Sequence, residues 1–346
     1  MNINVITPIL IDIPMATWGS LIFIFIVFGV GFTLGAFGGM FSECSGIINI
    51  ALDGAMLIGA FSGILFVQQL YAAIGNENPL LNNWAFVNFI YILGLLMCIL
   101  VAIGFSFLLS FVSIKLKADQ TVVGTALNSV ASAVVLILNT IHLAKDEPNM
   151  DTSMNFNVMN YHTSSEFING AFSNLNITVL IGIAIIVVLI FTMNKTRLGL
   201  RLRACGENPA AADSVGIKVN RMRYLGTAIG SASAAVGGYI IFTCLRLGQW
   251  SLTSGVFGYG FLVLAIEILG NWKAINITFA ALFFAAFFSF ATFMTTVFSG
   301  GSIAFYNSKA FYNMLPYLIA FLSLILFSKK SHAPKAEGIP YDKSSR

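Results

Sequence analysis

Residues 41–61, FSECSGIINIALDGAMLIGAF, set Glu43, Asn49 and Asp53 among glycines where two apolar stretches of membrane-crossing length meet. A carboxylate at bilayer depth costs ~2.5–3.5 kcal/mol on insertion scales, so these side chains are expected to face protein or water. Gly31, Gly35, Gly38, Gly39, Gly46, Gly54, Gly59 and Gly63 crowd the same region, weaken helix and permit bends. Residues 42–54 therefore read as a broken element turned away from lipid. Its polar groups have two open roles, bracing the break or touching a solute in a cavity. The Gly31/Gly35/Gly39, Gly59/Gly63 and Gly226/Gly230 spacings predict helix-packing faces.

The rest of the chain agrees with that setting. Of its residues 58% are hydrophobic and 9% charged, with mean hydropathy +0.87. Soluble domains carry about 25% charged residues, so this is a membrane protein. The expected fold is all-α and polytopic, with about 8–10 transmembrane helices in a single domain over residues 1–346. Candidate spans lie near 18–41, 46–70, 86–113, 121–141, 176–194, 222–245, 252–270, 275–298 and 312–328. The first is read as a permanent span, because no Lys or Arg precedes it as a signal-peptide n-region. The net charge of +4 sorts by loop and does not indicate nucleic acid. All 18 Lys and Arg except Lys145, Arg246 and Lys309 fall on one side, including the tail 329–346. The positive-inside bias puts that tail in the cytoplasm. The N-terminal side stays open, because a half-crossing in 31–63 would change the parity.

Several chemistries lack their residues. Cys44, Cys98, Cys205 and Cys244 are scattered and read as small core residues. There is no GxxxxGK[ST] to cradle a nucleotide phosphate, and His142, His162 and His332 form no metal-ligand spacing. No catalytic residue, metal or cofactor is predicted, so transport or channel function takes precedence. The outer loop 142–175 is long and nearly free of Lys and Arg, which makes it either disordered or a docking surface.

The loop 195–221 is the most charged passage. Asn208 is placed to N-cap a short helix with Pro209 at its first position, running through Ala210, Ala211, Ala212 and Asp213, with Gly216 placed to end it. Arg201 and Arg203 before it, and Lys218, Arg221 and Arg223 after it, would hold it at the membrane surface. Two readings stand, a basic loop that only sets topology and a docking helix for a cytoplasmic partner. Further polar candidates are Gln120, Thr121 and Asn128, which either line a pathway or bond a neighbouring helix. Glu267 either pairs with a group such as Lys273 or lines the pathway, and Trp250, beside Gln249, reads as an interfacial anchor.

The segment GLRLRACGENPAAADSVGI (199–217) closely resembles the G-x-R-x-R-A-x-G-E-N-P-x-A-A-x-x-x-G-I segment of permeases from bacterial ABC importers, most of all the simple-sugar and nucleoside branch. Residues 42–54 are similar to that branch's S-E-R-S-G-x-x-N-I-x-x-E-G, with Cys44 in place of Arg and Asp53 in place of Glu. Residues 255–272 resemble its G-x-G-F-x-x-x-A-x-x-x-x-G-x-W, with Glu267 at a usually apolar position, and EGIPYDKSSR resembles its terminal G-x-P-Y-D-R. The resemblance implies a non-catalytic permease subunit that pairs with a second permease and docks on a cytoplasmic ABC ATPase. Glu207, Asn208, Pro209, Ala210 to Asp213 and the closing Gly216 would then form its coupling helix. Arg201, Arg203, Arg221 and Arg223 would touch either that ATPase or membrane lipid. An extracytoplasmic substrate-binding lipoprotein would deliver a nucleoside, or a related riboside or simple sugar. Glu43, Asn49, Asp53, Asn128 and Glu267 are the candidates for pathway or bracing. A stand-alone secondary transporter or channel with Asp53 or Glu267 as coupling carboxylate is the rival, and a membrane scaffold is a weaker one. Both leave the ATP dependence of uptake as the discriminating observation.

Overall fold

The computed structural model describes residues 15–75, 81, 83–142, 165–172, 175–245, 258–297, 309–327 and 332–342. Among them the regular elements are helices: α1 (Met15–Glu43), α2 (Leu52–Ile74), α3 (Trp84–Ile114), α4 (Gln120–His142), α5 (Glu166–Phe172), α6 (Ile177–Lys195), α7 (Arg197–Glu207), α8 (Pro209–Ser214), α9 (Val219–Leu245), α10 (Tyr259–Gly270), α11 (Ala274–Val297) and α12 (Lys309–Phe327). Seven of the described helices, α1, α2, α3, α4, α6, α9 and α11, are long and apolar enough to cross a membrane. α10 and the Met314–Leu326 part of α12 are shorter apolar helices. These elements correspond to the apolar stretches read from the sequence. Residues 252–257, Gln249 and Trp250 lie outside the described residues.

The polarity of the bundle follows its solvent. Large apolar side chains such as Leu100, Val187, Phe279 and Leu326 point outward, whereas glycines and hydroxyl residues concentrate inside. Helices in lipid gain little from hiding apolar groups from one another, so close van der Waals packing and small residues hold them together. α1 and α9 are the central pair, 72% and 78% buried over their apolar windows against 17% for α4. They meet backbone to backbone. A β-carbon on Gly230 would stand 2.3 Å from the Gly38 carbonyl oxygen, and one on Gly237 would stand 2.4 Å from that of Gly31. Ser233 Oγ donates to Leu34 O at 2.7 Å along the same seam. On the next seam, Gly59 packs on Ala235, and Gly63 on Tyr239 and Gly94. Phe28, Phe32, Tyr259 and Phe288 interlock between α1, α10 and α11 with ring centroids 5.1–5.8 Å apart.

Two helices depart from the sequence expectation. In the outer loop, residues 166–172 form α5, whose Gly170 packs on the Ala16 carbonyl while its Phe167 carbonyl packs on Gly19 of α1, so this part is ordered against the bundle. The loop residues 143–164 lie outside the described residues. In the basic loop, Arg197–Glu207 is a helix in its own right, with Thr196 Oγ1 accepting from Gly199 N. Its Leu202 and Cys205 are buried and Arg201 and Arg203 exposed. The amphipathic spacing of those four residues is the signal for it.

The α1–α9 seam predicts that Gly230→Val destabilises the protein by at least about 1–3 kcal/mol, the cost of overpacking a tight interior. A lowered thermal unfolding midpoint in detergent, with Ala232→Val as the half-buried control on the same helix, is the measurement.

Candidate functional site

α1 ends in a Schellman motif. Gly46 has φ +95°, its N–H donates to Glu43 O at 2.9 Å, and Ile47 N donates to Ser42 O at 3.2 Å. The chain then runs unwound to Leu52, so the expected second span starts six residues later than its hydropathy suggests. This joint is the broken element expected over 42–54. An interrupted helix frees amides and carbonyls that must find partners inside the bundle. α4 supplies most of them. Gln120 Oε1 accepts from Ile48 N at 2.7 Å, Asn128 Oδ1 accepts from Gly54 N at 2.7 Å, and Asn128 Nδ2 donates to Ile50 O at 2.9 Å. Gly124, between them on the same face, lets α4 approach Ile50. Thr121, although within about 20° of Asn128 around the helix, is exposed in the first turn of α4, so of the three polar candidates Gln120 and Asn128 serve the joint, with Gly124 between them.

Asn49 Nδ2 donates to Ser42 Oγ at 3.0 Å and reaches Ser231 Oγ at 3.5 Å, tying the joint to α1 and α9. Asp53 Oδ1 accepts from Gly260 N at 2.9 Å, and so sits at the N-terminus of α10, where a helix dipole favours negative charge. The remaining two carboxylates come together. Glu267 packs directly on Gly39, one turn before Glu43, and the two side chains face each other. Trp272 Nε1 donates to Glu43 Oε2 at 2.6 Å. Asn271 and Trp272 both hold left-handed φ of 53°, a reversal that costs a non-glycine residue about 1–2 kcal/mol and delivers the indole to Glu43. Lys273 is exposed, and Glu267 has no hydrogen-bond donor among the described residues, so of the two readings of Glu267 the pairing with Lys273 does not form. The physical reason is direction: Glu267 points inward to α1, and Lys273 lies past the reversal.

The second candidate site is α8. Asn208 Oδ1 accepts from Ala211 N at 3.0 Å, Pro209 holds the first helical position, and Gly216 closes the helix at φ +85° with Ile217 N bonded to Ala212 O at 3.0 Å. Glu207, Asn208, Ala210, Ala211 and Gly216 are exposed, Pro209 and Asp213 half-buried, and Ala212 buried. Ala212 thus holds the helix on the protein, packed with Cys205 and Val219, while Ala210 and Ala211 face out. Val215 adds an apolar tip that is 76% exposed, a residue sequence reasoning missed because it lies past the capped turn. Gly206, just before α8, packs on the Cys44 carbonyl of the joint, which connects the two sites.

Arg223 departs most from expectation. It is 1% exposed, its Nη2 donates to Ile339 O at 2.9 Å, and it lies against Gly46, so it is available neither to a partner nor to lipid. It falls on the inward face of α9 with Val219, Gly226 and Thr227, whereas Arg221 is exposed. The carbonyl it needs comes from the tail, a segment more than a hundred residues away that local spacing does not reveal. Burial, with Glu43 nearby, pushes the tail carboxyl of Glu337 up to about 8.

Comparison with known proteins gives a family. The model of the family described as branched-chain amino acid transport system / permease component matches residues 21–326. The chain is 33% identical over 310 residues to the nucleoside ABC transporter permease protein NupC of Lactococcus lactis, covering 89% of this chain and 92% of that one. It is 32% identical over 325 residues to the guanosine ABC transporter permease protein NupQ of Bacillus subtilis, covering 93% and 96%. A partial match, 33% identical over 113 residues, covers 33% of this chain and 31% of the nucleoside ABC transporter permease protein NupB of Lactococcus lactis.

Two outcomes are expected. Asn128→Leu, which strands Gly54 N and Ile50 O, should destabilise the protein by about 1–3 kcal/mol per unpaired group, read as a lowered unfolding midpoint in detergent, whereas Thr121→Leu should be nearly neutral. Because Glu337 is raised, the docked tail keeps a proton that a freed tail loses near pH 4.3. Docking is then strongest at low pH and weakens as pH rises through about 8. Hydrogen exchange at the Ala336 amide, corrected for intrinsic rate, should lose protection progressively between about pH 4.3 and 8 and change little above it, and Glu337→Gln should abolish that loss.

Proposed function

Because the chain belongs to the branched-chain amino acid transport system / permease component family, we propose that it is the permease subunit of an ABC importer for nucleosides. It is a multi-pass membrane protein whose spans form, with a second permease, the pathway for a nucleoside or related riboside. ATP hydrolysis belongs to a separate cytoplasmic ATPase, and an extracytoplasmic lipoprotein hands over the substrate. The similarity to NupC and NupQ along nearly the whole chain supports the substrate class. The partial match to NupB, a second permease from the same organism as NupC, supports pairing of two permeases.

α8 is the coupling helix in this reading. The observation that carries it is the contact of Gly206 with the Cys44 carbonyl, which sets the base of α8 on the unwound joint. Ala210, Ala211 and Val215 present a small apolar surface to a cleft on the ATPase, with Glu207 and Asn208 at its edge. Closure of the ATPase moves α8, and the movement reaches the joint, where α1, α4, α9 and α10 meet. Lys117 pairs with Asp342 of the tail, and α7 and the start of α9, which carry Arg203 and Arg221, pack beside α8, which supports a cytoplasmic tail and coupling loop. Asn49 Nδ2, Asp53 Oδ1 and both amide atoms of Asn128 bond backbone groups and neighbouring hydroxyls, which supports bracing of the joint as their role.

The test is uptake of labelled guanosine, uridine and ribose by cells making this chain with its ATPase, second permease and lipoprotein. Nucleoside accumulation that ribose does not compete away, and that a disabled ATPase abolishes, is expected. Ala211→Trp should remove it at normal membrane levels. Flux that survives a dead ATPase would overturn the importer assignment, and normal uptake in Ala211→Trp would overturn the role of α8.

A further inference from the structure

The segment 332–342 has no part in the function so far, yet its contacts are specific. Ala336 N donates to Gly206 O at 2.8 Å, and the Ala336 carbonyl lies against Gly46. Gly338, at φ +73°, packs on Ile48, and Ile339 O accepts from the buried Arg223. Tyr341 packs into the small cluster of Cys205, Ala212 and Val219 behind α8. Asp342 pairs with Lys117 in the α3–α4 turn, and His332 N bonds Asn271 Oδ1 at the end of α10.

We propose that the tail segment Ala336–Asp342 is a clasp that makes α8 and the joint move as one body, with Tyr341 as a positioning residue for energy coupling. The proposal rests on α8 being the helix that contacts the ATPase.

The physical argument starts from the size of α8. It has six residues, of which Ala212 alone is buried. A helix this short has little stability of its own and is held by what it packs on. A push on Ala210, Ala211 and Val215 would tilt α8 and dissipate unless its inward side were backed. Tyr341 supplies that backing by packing on the cluster through which Ala212 is held, with Cys205 and Val219. From there the tail runs to Arg223 and to both Gly46 and Ile48, so the same short segment leans on α8 at one end and on the joint at the other. Gly206 on Cys44 is a first connection between the two, and the clasp is a second that resists rotation about it. Among the described residues, the tail's contacts lie on α7, the first two turns of α9, the joint and neighbouring turns, and none on the α1–α9 glycine seam from Gly31 to Gly38, so its loss spares the core.

The experiment uses the full chain assembled with its ATPase, second permease and lipoprotein, in three variants: Tyr341→Ala, Tyr341→Phe and Ala211→Trp. Expected for Tyr341→Ala are normal membrane level and ATPase co-purification, guanosine uptake reduced about ten-fold, and retained ATP hydrolysis. Tyr341→Phe, which keeps the ring, should match wild type. A substrate-independent readout accompanies these: trapping the ATPase with vanadate should alter hydrogen exchange at the Ile48 and Gly54 amides in wild type, and this response should be lost in Tyr341→Ala. A wild-type exchange response in Tyr341→Ala would overturn the clasp. Loss of ATPase co-purification in that variant would also overturn it, by making the tail an assembly element. If Ala211→Trp transports normally, the reading of α8 has failed; if Ala211→Trp is dead while Tyr341→Ala is normal, only the clasp has.

Discussion

A chain that unwinds among apolar helices must find partners for every amide and carbonyl it releases, since no water is at hand to take them. The joint between α1 and α2 meets much of that demand with side chains from neighbouring helices, and much of the structure is arranged around it. Gln120 and Asn128 on α4 bond Ile48, Ile50 and Gly54, and the Schellman turn at Gly46 closes α1 on itself. Asp53 meanwhile caps α10 from α2. One unwound segment thereby fixes the positions of three neighbouring helices.

The glycine seam makes this arrangement compact. Because Gly38 and Gly230 bring α1 and α9 into backbone contact, Ser42, Asn49 and Ser231 converge on one spot and the joint cannot drift from α9. The same closeness leaves no room for a side chain at Gly226, which packs on Phe41 O and Ser45. Strain is accepted where a contact offsets it. Trp272 takes a left-handed backbone to reach Glu43, and Glu267 is buried against Gly39 beside that pair.

The end of the bundle that carries the basic loops is a single connected patch. α8 rests on Cys205 and Val219, its base on Cys44, and the tail closes over both, with Arg223 buried between tail and joint. A displacement at α8 therefore has two routes to the place where the transmembrane helices are interrupted, and neither needs a long chain of intermediates.

Sequence by itself determined the membrane class, the helical spans, the break at 42–54 and the capped helix after Asn208. Each of these is set by local quantities: apolar length, glycine density, and the hydrogen-bonding reach of a capping side chain. The family was legible too, because its motifs are contiguous runs such as 199–217. Tertiary structure alone decided what the polar residues do. Asn128 and Gln120 serve the joint because α4 packs there, Glu267 faces Glu43 and not Lys273 because α10 turns it inward, and Arg223 is buried because the tail folds back to meet it. Those partners lie tens to hundreds of residues apart along the chain, and hydrogen-bond chemistry at such separations depends on which helix faces meet, which no local spacing encodes.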